Sequence, residues 1–385
     1  MGFLRTYLAL CVVAYHSTQF FPWPVHDGRQ AVQIFFCISG FYMALVLSER
    51  YHSAREFYIS RWLRIFAPYY AVLLMVLAWS LLNGFLRGYW LFLTPYVNRP
   101  FEVNGATGVA FAAATNLTLF FQDWVMFFQH DAGTSFGFTS NFANDRAPLW
   151  YYLILPQCWS VGIEEMLYLT APWLTSLPTR HLSMLLLGSV AARLCAYGLL
   201  GLQHDPFTYR FFPFEAALFI LGILAYRGYI YFGLATRFPK CPPNFYLPIL
   251  ALLAVALSLH AMAVQRLAAL IGEDYSVLLS YPFWAVGVAL LFAYFREHKG
   301  DRWLGELCFP IYLLHFAVIQ TVHQYLLGSA SLLQDLGPCS AALTLLIAIL
   351  FCQFFLQPFE RWRHTYLARR KARIKKPLGA STEGP

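Results

Sequence analysis

The chain has 385 residues, of which 59% are hydrophobic, 18% aromatic and only 12% charged, with a formal net charge of +8. That composition excludes a large soluble domain and reads as a polytopic membrane protein. The positive balance implies no nucleic-acid partner, because much of it lies in the run ERWRHTYLARRKARIKK, which follows the last apolar segment and suits anionic membrane lipids.

Ten windows of mainly apolar residues, at 3–21, 30–48, 65–83, 156–177, 182–202, 211–229, 246–265, 276–295, 304–326 and 339–358, predict an all-α bundle of about ten transmembrane helices. The stretch 106–121 is shorter and polar-flanked, so a re-entrant or interfacial helix is expected there rather than an eleventh span. With this count 20 of the 27 Lys and Arg residues fall on one side, six on the other, and Arg193 within a span. The positive-inside rule then places both termini in the cytoplasm, with 1–360 as the membrane domain and 361–385 as a basic tail. The first window carries no clear small-residue cleavage site and is expected to be retained. Eight cysteines occur singly, with no C-x-x-C, so neither a disulfide framework nor a metal site is expected. Asn116-Leu117-Thr118 matches a glycan-acceptor triplet, a pattern short enough to arise by chance.

Ionisable residues inside apolar segments mark candidate sites, because hydrocarbon penalises them. Arg5 and His16 are eleven positions apart in the first window. On a helix that spacing returns to within about 20° and rises about 16 Å, which puts both on one face, Arg5 at the inner interface and His16 near the middle of the membrane. A snorkelling arginine and a histidine bonded to a neighbouring helix give the same pattern. Arg61 and Arg64, in SRWLRIFAPYY (60–70), share a face at i, i+3, and guanidinium forks suit phosphates, although the positive-inside rule alone also puts arginines there. The long outer stretch 84–155 is either an ordered functional loop or a connector. Glu164 and Glu165, in WSVGIEEMLYL (159–169), are expected at the depth of His16, with at most one facing it; a structural ion pair with Arg193 is the alternative. Tyr168 lies one turn from both glutamates, Ser39 sits in the second span, and Arg210 is expected at the outer interface, where an anionic acceptor would meet it. Tyr312 and His315 read as packing or belt residues.

An anionic head bound at the inner arginines and a reactive end near His16 describe an acyl-coenzyme A as donor. His16 would act as general base and a glutamate would orient its ring.

These segments resemble the acyltransferase 3 family of bacterial membrane proteins that modify cell-surface carbohydrates. Arg5 with His16 is similar to the family's basic-x10-His signature, AVQIFFCISGFYM (31–43) to its Phe-Phe-x-x-Ser-Gly-Phe span, and SRWLRIFAPYY to its Arg-x-x-Arg segment. WSVGIEEMLYL resembles its Trp-Ser-x-x-x-Glu-Glu segment, RFFPFEAALFILGILA (210–225) its Arg-to-Gly span, and LGELCFPIYLLHF (304–316) its Leu-Gly to Tyr-Leu-x-His span. Ala31, Gln33 and QPFERW (357–362) depart from the pattern. The resemblance implies about ten spans, acyl-coenzyme A as co-substrate with no resident cofactor, His16 as the essential residue, and Arg61 and Arg64 near the donor.

The expected function is therefore O-acyl transfer, most simply of acetyl, to a hydroxyl of a surface glycan or lipid-linked sugar, in the bacterial inner membrane. Catalytic roles fall to His16, Glu164 and Glu165, donor binding to Arg5, Arg61, Arg64 and Ser39, and acceptor binding to Arg210 and Tyr168. The alternative is a proton-coupled transporter or flippase, with His16, Glu164, Glu165 and Arg193 forming the pathway.

Overall fold

Helix follows helix along the chain in the computed structural model, which describes residues 1–51, 53–98, 105–129, 137–142, 148–326 and 335–375. Arg99, Arg146 and Lys376, which enter the charge count, and much of the Gly- and Asn-rich stretch at 129–148 lie outside these residues. The helices are α1 Gly2–His16, α2 Gly28–Glu49, α3 Ala54–Arg87, α4 Thr94–Asn98, α5 Gly105–Thr118, α6 Trp159–Ser176 and α7 Thr179–Leu200. After them come α8 Phe212–Tyr231, α9 Leu234–Arg237, α10 Tyr246–Ile271, α11 Glu273–Phe295, α12 Lys299–Leu326, α13 Leu336–Phe351 and α14 Gln357–Lys375. Their ends follow local chemistry. Asp27 accepts the Gln30 N–H at 2.8 Å to start α2, Ser53 accepts the Glu56 N–H at 3.2 Å to start α3, and Gly88, at φ +71°, ends α3 in the left-handed region.

Eight helices among the described residues are long and apolar enough to cross a membrane: α2, α3, α7, α8, α10, α11, α12, and the continuous helix that runs from α13 into α14. The other two of the ten expected spans are α1 and α6. The window 3–21 does not form one span, because α1 stops at His16 after 15 residues. α6 has 18 residues and carries two adjacent carboxylates, Glu164 and Glu165, within its apolar sequence. Both are largely buried, so neighbouring helices rather than lipid surround their polar groups.

α1 is fixed at its inner end, the side the basic residues mark. Asp301 accepts the N–H groups of Gly2 at 2.6 Å and Phe3 at 2.9 Å, satisfying otherwise orphaned donors of α1. One turn on, the Thr6 hydroxyl donates to the Leu304 carbonyl at 2.6 Å. α2 and α8 approach closely through glycines. A Cβ on Gly40 would lie 1.9 Å from the Phe219 carbonyl oxygen, and one on Gly222 would lie 2.0 Å from that of Cys37, so only glycine fits at either position.

α5 enters the bundle without crossing it. Tyr69 and Tyr70, about 22 Å along α3 from Ala54, donate to the carbonyls of Asn116 and Leu117, each at 2.6 Å. Leu119 and Phe121 then take φ values of +65° and +61°, and the chain turns back toward a short antiparallel hairpin of Phe128–Gln129 with Gly137–Phe138. With 14 residues, α5 is not among the helices long and apolar enough to cross a membrane, so 106–121 adds no eleventh span. Asn116 is buried and clasps the later segment, its Nδ2 donating to the Tyr152 carbonyl at 2.8 Å and its Oδ1 accepting the Ile154 N–H at 2.9 Å. The glycan-acceptor triplet is thus a packing element.

Candidate active site

The candidate residues fall into three groups stacked along the bundle. At the inner end Arg5 of α1 and Arg61 and Arg64 of α3 share one electrostatic neighbourhood. Arg363, from α14, stands beside them: it is buried and donates to the hydroxyl of Ser60 at 2.7 Å and to its carbonyl at 3.1 Å. Among the described residues Arg5, Arg61 and Arg64 make no ion pair with any carboxylate. Arg64 keeps an exposed surface.

The second group lies midway along α2. Ser39, eleven residues from Gly28 and ten from Glu49, donates to Glu164, and so does the Tyr168 hydroxyl. Arg5 faces this cluster, with Glu164, Tyr168, Tyr42 and Cys308 as its electrostatic neighbours. Glu165 is buried, its Oε1 has no hydrogen-bond partner among the described residues, and Arg61 is its cationic electrostatic neighbour.

His16 heads the third group. It is the last residue of α1, and like Arg64 it keeps an exposed surface. The His315 ring stacks on it with centroids 5.4 Å apart and planes inclined by 29°, and Phe316 meets it edge-on at 5.5 Å. The charge nearest His16 belongs to Arg210, not to a carboxylate. Arg210 is itself buried, with Nε 2.7 Å from Asp205 and the guanidinium 4.2 Å above the Trp159 ring. It also donates to the Tyr209 hydroxyl, and burial pushes that phenol well above its ordinary range despite the pull of Arg210. Below His16, Ser160 bonds the Tyr312 hydroxyl at 2.6 Å, and that hydroxyl donates to the Gln157 carbonyl at 2.7 Å.

The comparison with known families bears directly on this arrangement: the model of an acyltransferase domain matches residues 1–356, which hold all three groups. The chain belongs to the acyltransferase 3 family. No curated relative and no solved structure matches it. The protein is thus a membrane acyltransferase, and the transporter alternative gives way.

Three expectations about the acyltransferase change on its structure. Glu164 and Glu165 do not share the depth of His16. Ser160 is level with Tyr312 and Glu164 lies one turn further in along α6, whereas His16 is level with His315, nearly one turn further out along α12, so the histidine lies roughly 10 Å further outward. Among the described residues no hydrogen bond joins His16 to either glutamate. The reason is that α6 starts deep in the bundle, at Trp159, with Gln157 bonded to the Leu313 carbonyl at 2.7 Å. Arg193 does not pair with these glutamates or line a pathway to His16. It is locked to Glu215, with Tyr281 accepting at 2.7 Å and Gln33 donating to Glu215 at 3.2 Å. Arg210, expected at the outer interface, is buried in protein and tied to Asp205.

Sequence reasoning missed Glu215 and discounted His315. A lone carboxylate in the span 211–229 was the signal for the first, by the same cost argument that flagged Glu164. For the second, histidine in an apolar span gave the same warning, outweighed by its aromatic neighbours.

Proposed function

We propose that the acyltransferase moves an acyl group, most simply acetyl, from acyl-coenzyme A at the cytoplasmic face to a hydroxyl of a cell-surface carbohydrate or lipid-linked sugar in a bacterial inner membrane. The observation that carries this reading is the set of three arginines at the inner end that, among the described residues, make no ion pair with a carboxylate, with an exposed histidine some 16 Å further along α1. Unpaired guanidinium groups inside a bundle call for an anion, and the phosphates of the donor supply one. Ser39 and Tyr168 then border the path of the pantetheine arm. His16, beyond the midpoint, would meet the thioester where an acceptor can arrive from outside past Arg210, so the acyl group crosses on its donor.

In the chemical step the neutral imidazole of His16 takes the proton of the acceptor hydroxyl as its oxygen attacks the thioester carbonyl carbon. A C–O bond forms, the tetrahedral intermediate collapses with cleavage of the C–S bond, and the departing thiolate takes the proton back from His16. No charge is left on the enzyme.

The test is transfer of labelled acetyl from acetyl-coenzyme A to cell-envelope glycans at matched membrane expression. His16→Ala should lower transfer by about 10²- to 10⁴-fold. Arg64→Ala should raise the donor KM by about 10- to 100-fold, the value of a charged hydrogen bond, with kcat little changed. Equal labelling by His16→Ala removes that residue from the chemistry, and an unchanged donor KM removes Arg64 from the donor site.

A further inference from the structure

A general base needs a third group to hold its ring and to stabilise the imidazolium that forms, and that group is ordinarily a carboxylate. Among the described residues His16 has none within reach, but it has His315. That residue is fully buried on α12, and its Nδ1 lies 2.7 Å from the Tyr312 carbonyl oxygen. A carbonyl only accepts, so Nδ1 carries the proton and Nε2 keeps its lone pair. Nε2 is buried and has no hydrogen-bond partner among the described residues. An orphaned acceptor at this depth is costly, and native structures seldom keep one without a use. The His315 ring is the fixed member of the stack. Its Nδ1 is anchored to the main chain, and the neighbouring Tyr312 side chain is pinned by Ser160 of α6 and by the Gln157 carbonyl in the turn just before it. His16, at a helix end and open to solvent, is the member with room to turn.

We infer that His315 is the positioning partner of His16: its unpartnered Nε2 accepts the ring N–H of His16, and its neutral ring faces the imidazolium during proton transfer. The inference rests on the reading of His16 as general base. One nitrogen of His16 takes the hydroxyl proton while the other keeps its own proton, shared with His315. When the thiolate leaves it takes the first proton, and His315 ends the cycle as it began. Rotation of the His16 ring converts the observed stack into the bonded pair.

Two substitutions separate this role from packing. His315→Asn keeps an N–H where Nδ1 stands, and so the bond to Tyr312, but removes Nε2. His315→Gln places an amide oxygen within reach of the lost acceptor. The measurement uses full-length purified protein and two readouts: acetyl transfer, and the rate at which diethyl pyrocarbonate modifies His16, followed by peptide mass spectrometry without any substrate. His315→Asn should lower kcat by about 100-fold or more with the donor KM unchanged, and His315→Gln should recover to within about tenfold of the wild type. His16 should be modified several-fold more slowly in His315→Asn, because an accepted N–H makes the other nitrogen more nucleophilic. Wild-type transfer and wild-type reactivity in His315→Asn would overturn the inference. So would equal inactivity of both variants with His16 reactivity unchanged, which is the signature of packing. Absence of transfer by the wild type, with slowed modification in His315→Asn, would sink the proposed function and leave the histidine pair standing.

Discussion

Replacing Gly40 by alanine tests how tightly the site depends on helix packing. The new Cβ would lie 1.9 Å from the Phe219 carbonyl oxygen and 2.8 Å from its carbon, where ordinary contact begins at 3.4 Å, so the α2 and α8 backbones must part by about 1.5 Å. The obstacle is backbone on a rigid helix, which leaves no flexible side chain to yield. Ser39 is the adjacent residue on α2 and donates to Glu164 of α6, so the same movement pulls that hydroxyl out of bonding range. Overpacking of this kind costs about 1–3 kcal/mol in stability, and a displacement of about 1 Å in a positioned group costs about 100-fold in rate. Gly40→Ala should therefore show a lower unfolding midpoint in detergent and acetyl transfer reduced by about two orders of magnitude. Gly188→Ala and Gly198→Ala, on the face of α7 where a Cβ meets nothing within 4 Å, should match the wild type in both. Wild-type stability and transfer in Gly40→Ala would refute the argument, since α2 would then not be held in register by this contact.

The ion pair of Arg193 and Glu215 is 2% and 0% exposed, so breaking it from one side should be expensive. Glu215→Leu or Arg193→Met alone should cost about 3–5 kcal/mol, while the double variant should return close to wild-type stability; additive losses in the double-mutant cycle would show that the two charges do not compensate each other. Asp27, at the outer start of α2, gives a pH signature. Burial raises its carboxyl from the ordinary 3.8 to about 6, against the pull of Arg29 and the Gln30 N–H. A folded value above the unfolded one favours the folded state when protonated, so this contribution is full below about pH 4 and lost as the pH rises through about 6. The thermal midpoint of the wild type, measured against that of Asp27→Asn, should fall between pH 5 and pH 7. A midpoint that rises over that window relative to the variant would contradict the burial of Asp27.

Periodicity and hydropathy made the membrane bundle legible, since long apolar runs have few other uses. Arg5, Arg61 and Arg64 were legible as a group because the positive-inside rule and the spacing in α1 and α3 place them at one interface. Depth was harder to read. The sequence 3–21 carries no glycine or proline at its centre to stop α1 at His16, and tertiary contacts decide where that helix ends. The outward offset of His16 from Glu164 depends on how deeply α6 begins, which is set by Gln157, Ser160 and Tyr312 meeting across two helices distant in sequence. Arg193 was legible as an ionisable residue in a span, but its partner Glu215 lies on the next helix, and nothing in the spacing of the two says that those helix faces meet. His315 was discounted because a histidine among aromatic residues packs well with or without a function, and only an orphaned nitrogen separates the two cases.

The matched domain stops at residue 356, but the helix does not. A π-helical turn at Cys352–Leu356 joins α13 to α14 without a break, and seven positions past the boundary Arg363 reaches back to grip Ser60, the residue next to Arg61. The evolutionary unit and the mechanical unit therefore differ in length. The tail begins as a strap across the inner arginines, and a chimera spliced at the domain edge would cut it there.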